Sequence, residues 1–122
     1  LKVIIDTNAF MASHQFGIDI FDELQKLGFT EFVTLQQIID ELKRLAKTAK
    51  GKDMIAAKVG MKLAERCSII SCPSNADDAI VNEAQKLKAA VLTNDIELKG
   101  RLRNHGIKVV YMRQKNRLEL SG

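Results

Sequence analysis

Cysteine and proline are nearly absent, with two of the first and one of the second in 122 residues. Cys67 and Cys72 flank a single predicted strand, which gives neither a disulfide framework nor a zinc site, so they read as buried reduced thiols. No apolar run approaches the roughly 20 residues that a membrane helix needs. No charged-then-apolar segment opens the chain as an export signal, and the expected location is cytoplasmic, without membrane contact. Leu1 reads as following a lost methionine, which bears on no function. Repeats, low-complexity tracts and linkers are missing too, leaving a single domain over residues 1–122 with one substantial core.

What is present has the balance of an ordinary globular protein: 46% apolar and 28% charged residues. The net charge of +4 is unevenly spread. Lys43, Arg44, Lys47, Lys50, Lys52, Lys58 and Lys62 form one basic block, broken only by Asp53. Lys99, Arg101, Arg103, Lys108, Arg113, Lys115 and Arg117 form a second, with no acid between them. Taken alone, such blocks suit a polyanion or a solvated helix face equally well.

The apolar pattern alternates between strand and helix. Val3-Ile4-Ile5 reads as a strand buried on both faces. Ile18, Ile20, Phe21, Leu24 and Leu27 recur at helical spacing up to Gly28. Glu31-Phe32-Val33 is a second strand, after which Thr34 is expected to cap a helix through Leu35, Ile38, Ile39, Leu42 and Leu45. Beyond the break at Gly51 comes a helix through Met54 to Leu63, then a third strand from Cys67 to Cys72, closed by Pro73. Asn75 or Ala76 opens the next helix, Ala90 to Thr93 is a fourth strand, Ile96 to Arg103 a short helix ended at Gly106, and Ile107 to Tyr111 a fifth strand. This order predicts a three-layer α/β/α domain around about five parallel strands in the order 3-2-1-4-5.

In such sheets polar residues gather beyond the carboxyl ends of the strands, where strand order reverses. Asp6 follows the first strand directly and Asp95 stands two residues after the fourth, so both are expected in one crevice. Glu41 lies on the helix after the second strand, and Asp77-Asp78 opens the helix before the fourth. Each acid alone has a structural reading as a helix cap, a first-turn acid or a solvent-facing side chain. Their joint placement fits a site for one or two hard divalent cations, which activate water and neutralise charge at a phosphodiester. Asp77 precedes Ala84 by two helical turns, on the face marked by Ile80, Val81, Ala84 and Leu87; Asp78 is rotated by about 100°. Asp77 is therefore the expected ligand, with Asp78 in a capping or supporting role.

Four segments together resemble the signature of PIN-domain nucleases, in its order: Val3-Ile4-Ile5-Asp6-Thr7-Asn8, Asp40-Glu41-Leu42, Ala76-Asp77-Asp78-Ala79-Ile80 and Val91-Leu92-Thr93-Asn94-Asp95. The resemblance spans nearly the whole chain and implies an endoribonuclease dependent on Mg²⁺ or Mn²⁺. It maps the acidic quartet to Asp6, Glu41, Asp77 and Asp95, which would bind the metal and carry catalysis. Thr7, Asn8, Thr93 and Asn94 match the polar neighbours that position ligands in the family. The same resemblance implies an RNA substrate and two biological settings, a toxin paired with an antitoxin or a small-subunit ribosomal RNA processing nuclease with an assembly partner; a homodimer is implied as well. The carboxyl third, with Thr93 to Lys99 and Gly106 to Val109, is more similar to the processing branch. No added RNA-binding module is present, so Lys43, Arg44, Lys47, Lys99, Arg101 and Arg103, which adjoin the acids in sequence, are the expected RNA contacts.

Other readings account for less. A receiver domain wants two acids after the first strand and an aspartate after the third, where this chain has Thr7-Asn8 and Pro73-Ser74. A dehalogenase-like phosphatase needs an aspartate where Asn8 stands, and a dinucleotide site needs a glycine-rich turn that the first strand lacks. The competing expectation from another class is a PIN-like scaffold that binds RNA or protein without cutting. His14 and His105 stand apart from any sequence partner, and the four methionines read as core filler. Phe10, Phe16, Phe29 and Tyr111 suit either packing or base stacking.

Overall fold

The computed structural model describes residues 1–114 and 116–121; Lys115 of the second basic block and Gly122 lie outside the described residues. At the middle of the sheet is β1 (Lys2–Ile5), whose Val3, Ile4 and Ile5 are fully buried, as a strand covered on both faces requires. It pairs in parallel with β2 (Glu31–Leu35) on one side and with β4 (Ala90–Leu92) on the other. β3 (Ser68–Ile70), shorter than the Cys67–Cys72 run, extends the β2 side, and β5 (Val109–Arg113) extends the β4 side. The order 3-2-1-4-5 is therefore present, with an addition the sequence reading omits. β6 (Arg117–Ser121) pairs antiparallel with β5, which makes the sheet six-stranded and mixed. Its signal is the alternation Leu118, Glu119, Leu120: Leu118 is buried, whereas Leu120 is exposed.

Two helices join β1 to β2, where apolar spacing marks only one. α1 (Thr7–Phe16) buries Ala9, Phe10 and Ala12, a stripe with too few large residues to stand out. Asp6 caps it by accepting from Thr7 N, and Gly17 ends it at φ +63°. α2 (Ile20–Lys26) then buries Ile20, Phe21 and Leu24.

Thr34 does not cap the next helix, α3 (Gln36–Thr48). It lies inside β2, fully buried, and its hydroxyl donates to Ile5 O at 3.0 Å. That bond satisfies a group which would otherwise be costly to bury, and it ties β2 to β1. Leu35 takes the cap position with no side-chain hydrogen bond. α4 (Lys52–Ala64), α5 (Ala76–Leu87, capped by Asn75) and α6 (Ile96–Asn104, capped by Asp95) complete the helices.

Steps β1 to β2 to β3 run one way across the sheet, and steps β3 to β4 to β5 run the other. Right-handed crossovers then place the two helix groups on opposite faces. α1, α3 and α4 pack on one another, while α5 and α6 pack together and on β1, β2, β4 and β5. Gly60 of α4 allows the first group to close: an added Cβ would stand 3.1 Å from Leu42 Cδ2 and 3.2 Å from Phe10 Cβ. Strand direction across the sheet switches between β1 and β4, and a crevice opens at their carboxyl ends.

Candidate functional site

A cleft of about 390 Å³ opens at that switch point, lined by Asp6, Glu41, Asp77 and Asp95 together with Thr7, Asn8, Met11, Gln37, Leu45 and Ala76. The larger cavity, about 470 Å³, lies elsewhere and contains no acid. Size does not choose between them; convergent polar groups do.

Asp6 forms the buried floor of the cleft. Its Oδ1 accepts from Thr7 N at 2.8 Å, and its Oδ2 accepts from Thr93 Oγ1 at 2.8 Å and Asn8 Nδ2 at 3.1 Å. Burial raises the Asp6 pKa. The Thr93 and Thr7 hydrogen bonds oppose that rise, and the nearby acids Asp77 and Asp95 add to it. Asn8 Oδ1 accepts from Asn94 N at 3.0 Å, and Asn94 Oδ1 accepts from Met112 N at 2.9 Å. Asn8, Thr93 and Asn94 thus lock the tips of β1, β4 and β5 around one carboxylate.

Asp95 caps α6 through Oδ1, which accepts from Leu98 N at 3.1 Å, and its backbone N–H donates to Thr93 Oγ1. Its Oδ2 has no hydrogen bond among the described residues. Asp77 is exposed and lines the cleft with neither oxygen engaged among the described residues. Asp78 turns the other way: it accepts from Arg101 Nη2 at 2.7 Å and Asn75 Nδ2 at 2.9 Å, and these two bonds, Arg101 first, hold its pKa low. On the opposite wall Glu41 accepts from Arg44 Nη2 at 2.7 Å and Arg44 Nε at 3.1 Å.

Gln37, one helical turn before Glu41, is a site residue that sequence reasoning missed. Its Nε2 donates to Cys72 O at 2.8 Å and Ser74 O at 2.6 Å, clamping the segment that leads into the Asn75 cap and Asp77. Its Oε1 is buried without a partner among the described residues. The spacing Gln37, Glu41, Leu45 was the available signal, since residues four apart share a helix face.

The donor set suits a hard cation: carboxylate oxygens, some free of hydrogen bonds, beside an orphaned amide oxygen that a metal-bound water could satisfy. Three His, Cys, Asp or Glu side chains do not converge to ligand distance among the described residues. Mg²⁺ tolerates this, because it keeps several waters and takes only one or two carboxylates.

The basic residues near the acids differ in their engagement. Lys43 and Lys47 are exposed on α3, whereas Arg44 is paired with Glu41. Arg101 is paired with Asp78, Arg103 donates to Ser121 Oγ at 3.1 Å, and Lys99 stands 5.3 Å over the Tyr111 ring. Phe10 and Phe29 are buried, so both pack in the interior. Met11 lines the cleft; Met61 and Met112 pack against the core.

Residues 3–115 match the family model of a PIN like domain. Ribonuclease VapC9 of Archaeoglobus fulgidus is 30% identical over 115 residues, covering 94% of this chain and 85% of the relative. Ribonuclease VapC4 of Methanocaldococcus jannaschii is 32% identical over 127 residues, covering 99% and 97%. Among solved structures, the PIN domain endonuclease Utp24 superposes with a TM-score of 0.81 at 28% identity, over 98% of this chain and 90% of that one. A domain of a functionally unknown protein from Methanocaldococcus jannaschii shares the fold alone, with a TM-score of 0.62 at 15% identity over 92% and 91%. The match over nearly the full length and the two ribonuclease relatives lead to one statement: the chain belongs to the PIN-like domain family.

Proposed function

We propose that this protein is an endoribonuclease that hydrolyses RNA phosphodiester bonds with Asp6, Glu41, Asp77 and Asp95 around Mg²⁺ or Mn²⁺. The observation that carries the reading is the meeting of these four acids in one cleft, in a chain whose relatives are named ribonucleases. Asp6 would hold the cation from the floor, with Thr93 and Asn8 fixing its rotamer; Asp95 would offer Oδ2, the oxygen its capping role leaves free. Asp77 would close the site from α5, and Glu41 from α3 once Arg44 releases it. A bound divalent cation supplies Lewis acidity and lowers the pKa of a water, which the chain's own acids cannot do. Lys43 and Lys47, on the helix of Glu41, are placed to meet backbone phosphates. Two settings fit the relatives, ribosomal RNA processing and a toxin held by an antitoxin; a small antitoxin reading frame beside the gene would select the second.

The Glu41–Arg44 pair favours one rival, a scaffold that binds without cutting, because it neutralises a quartet member. Cleavage assays on single-stranded RNA decide between the two. The nuclease reading expects cleavage with Mg²⁺ or Mn²⁺ that excess EDTA stops. Cleavage indifferent to EDTA would remove the metal, and inactivity on varied RNAs with metal present would leave the scaffold.

A further inference from the structure

The larger cavity, of about 470 Å³, is of ordinary ligand-pocket size and lies where β1 and β4 begin rather than where they end. At about 3.3 Å of rise per residue, Leu1 stands roughly 16 Å from Asp6 along β1, so cavity and acid cleft are separate surfaces. Phe29, Ile107 and Leu120 contribute apolar lining, Lys2, Lys88 and Lys108 contribute charge, and no carboxylate lines the cavity. These three lysines have no ion pair among the described residues, whereas Lys26, Lys62 and Lys86 each have one. Lys108, grouped by sequence with the second basic block, thus serves a different surface from that of the acids.

The arrangement of charge narrows the occupant. β4 separates β1 from β5, so Lys2 and Lys108 stand two strand spacings apart, about 10 Å, which is wider than one carboxylate bridges. Lys88 adds a third cation from the end of α5. An occupant therefore needs several spaced negative charges and an apolar body. Single-stranded RNA meets the first need, but Phe29 is buried and the lining presents no exposed ring on which a base could stack. An extended peptide, with side chains alternating every 3.3 Å or so, meets both.

We propose that this cavity docks an acidic segment of a protein partner, which inserts an apolar side chain among Lys2, Lys88 and Lys108. The docking leaves the acid cleft open, so the partner would recruit or locate the protein rather than block it, and the inference stands whether or not RNA is cut.

The test is a random dodecapeptide display library panned on the intact protein, followed by titration of the recovered peptides against wild type and against Lys88→Glu/Lys108→Glu. Both lysines are exposed, so charge reversal leaves the core alone, and circular dichroism checks the fold. The expected peptides carry at least two acids flanking Leu, Ile or Phe, and the double variant binds them at least tenfold more weakly. Recovery of no such peptides, or binding that survives the reversal, overturns the proposal. Competition by a uridine dodecanucleotide or by dodecanoate also overturns it, by assigning the cavity to nucleic acid or to a small amphiphile.

Discussion

Replacing Gln37 with leucine separates the placement of Asp77 from the stability of the fold. The change removes two hydrogen bonds to the segment before α5, at 2.8 Å to Cys72 O and 2.6 Å to Ser74 O. At about 1 kcal/mol net each, the clamp contributes about 2 kcal/mol to holding that segment. The same change deletes Oε1, a buried acceptor without a partner, whose unmet hydrogen bonding costs about 1–3 kcal/mol. The two effects offset, and leucine suits a helix well, so the melting temperature should move by only a few degrees. The local consequence is larger. Asp78 N and Ala79 N donate to Asn75 at 3.0 and 2.8 Å, and Asn75 immediately follows the clamped Ser74. With about 2 kcal/mol less holding the segment, these amides should exchange with solvent about 30-fold faster. Metal-free protein suffices for that measurement, so it does not depend on the nuclease reading. In RNA cleavage kcat should fall about tenfold to a hundredfold, since misplacing a reacting group by an ångström costs on that order. Unchanged exchange at Asp78 and Ala79 would refute the clamp, and a melting temperature lowered by more than about ten degrees would refute the offset.

The remaining predictions concern the acids and a thiol. Asp6→Asn, Glu41→Gln and Asp95→Asn should each abolish RNA cleavage while circular dichroism stays native, and Asp77→Asn should damage kcat more than Asp78→Asn; a wild-type rate in any of the first three removes that residue from the site. Asp6 has a folded pKa above its unfolded one, so the stability tied to its protonated form is present below the unfolded pKa and lost as pH rises through the folded one. The melting temperature of metal-free Asp6→Asn, relative to wild type, should therefore climb between pH 4 and 7.5, and a flat difference would contradict the burial argument. Burial pushes the Cys67 thiol up to about 12, so iodoacetamide at pH 8 should label it about a thousandfold more slowly than a free cysteine. Peptide mapping after timed labelling reads that rate.

The sequence displayed the fold where burial is two-sided. Val3-Ile4-Ile5 and Ala90-Val91-Leu92 are wholly buried strands, and continuous apolar runs report such strands directly. It hid α1, whose contacts with α4 run through alanines and Gly60 rather than through a stripe of large residues. It misled at Thr34, because a threonine at the end of a strand and one at the start of a helix carry the same local signature; only the Ile5 carbonyl across the sheet distinguishes them. The four acids were legible as positions, since the end of a strand fixes where a residue falls. Their engagements were not. Whether Glu41 faces the cleft or Arg44, and whether Arg101 faces a phosphate or Asp78, depends on rotamers and on neighbours distant in sequence. Gln37 was invisible for the same reason, as its partners lie 35 and 37 residues away.

Capping and metal binding need not compete for these aspartates. A carboxylate has two oxygens, and the cap of a helix takes one of them. Asp95 gives Oδ1 to Leu98 N, which fixes the side chain's rotamer and leaves Oδ2 without a hydrogen bond among the described residues. Asp6 is engaged at both oxygens, yet Oδ1 accepts only Thr7 N, and a carboxylate oxygen has lone pairs enough for one partner more. The helix start thus orients the acid at no extra entropic cost when a cation arrives, a cost that a solvent-facing aspartate would bear in full. Asp78 shows the other outcome: both of its oxygens are taken, by Arg101 and Asn75, and it stands outside the cleft lining. What separates a structural acid from a candidate ligand here is the count of lone pairs that the fold leaves open.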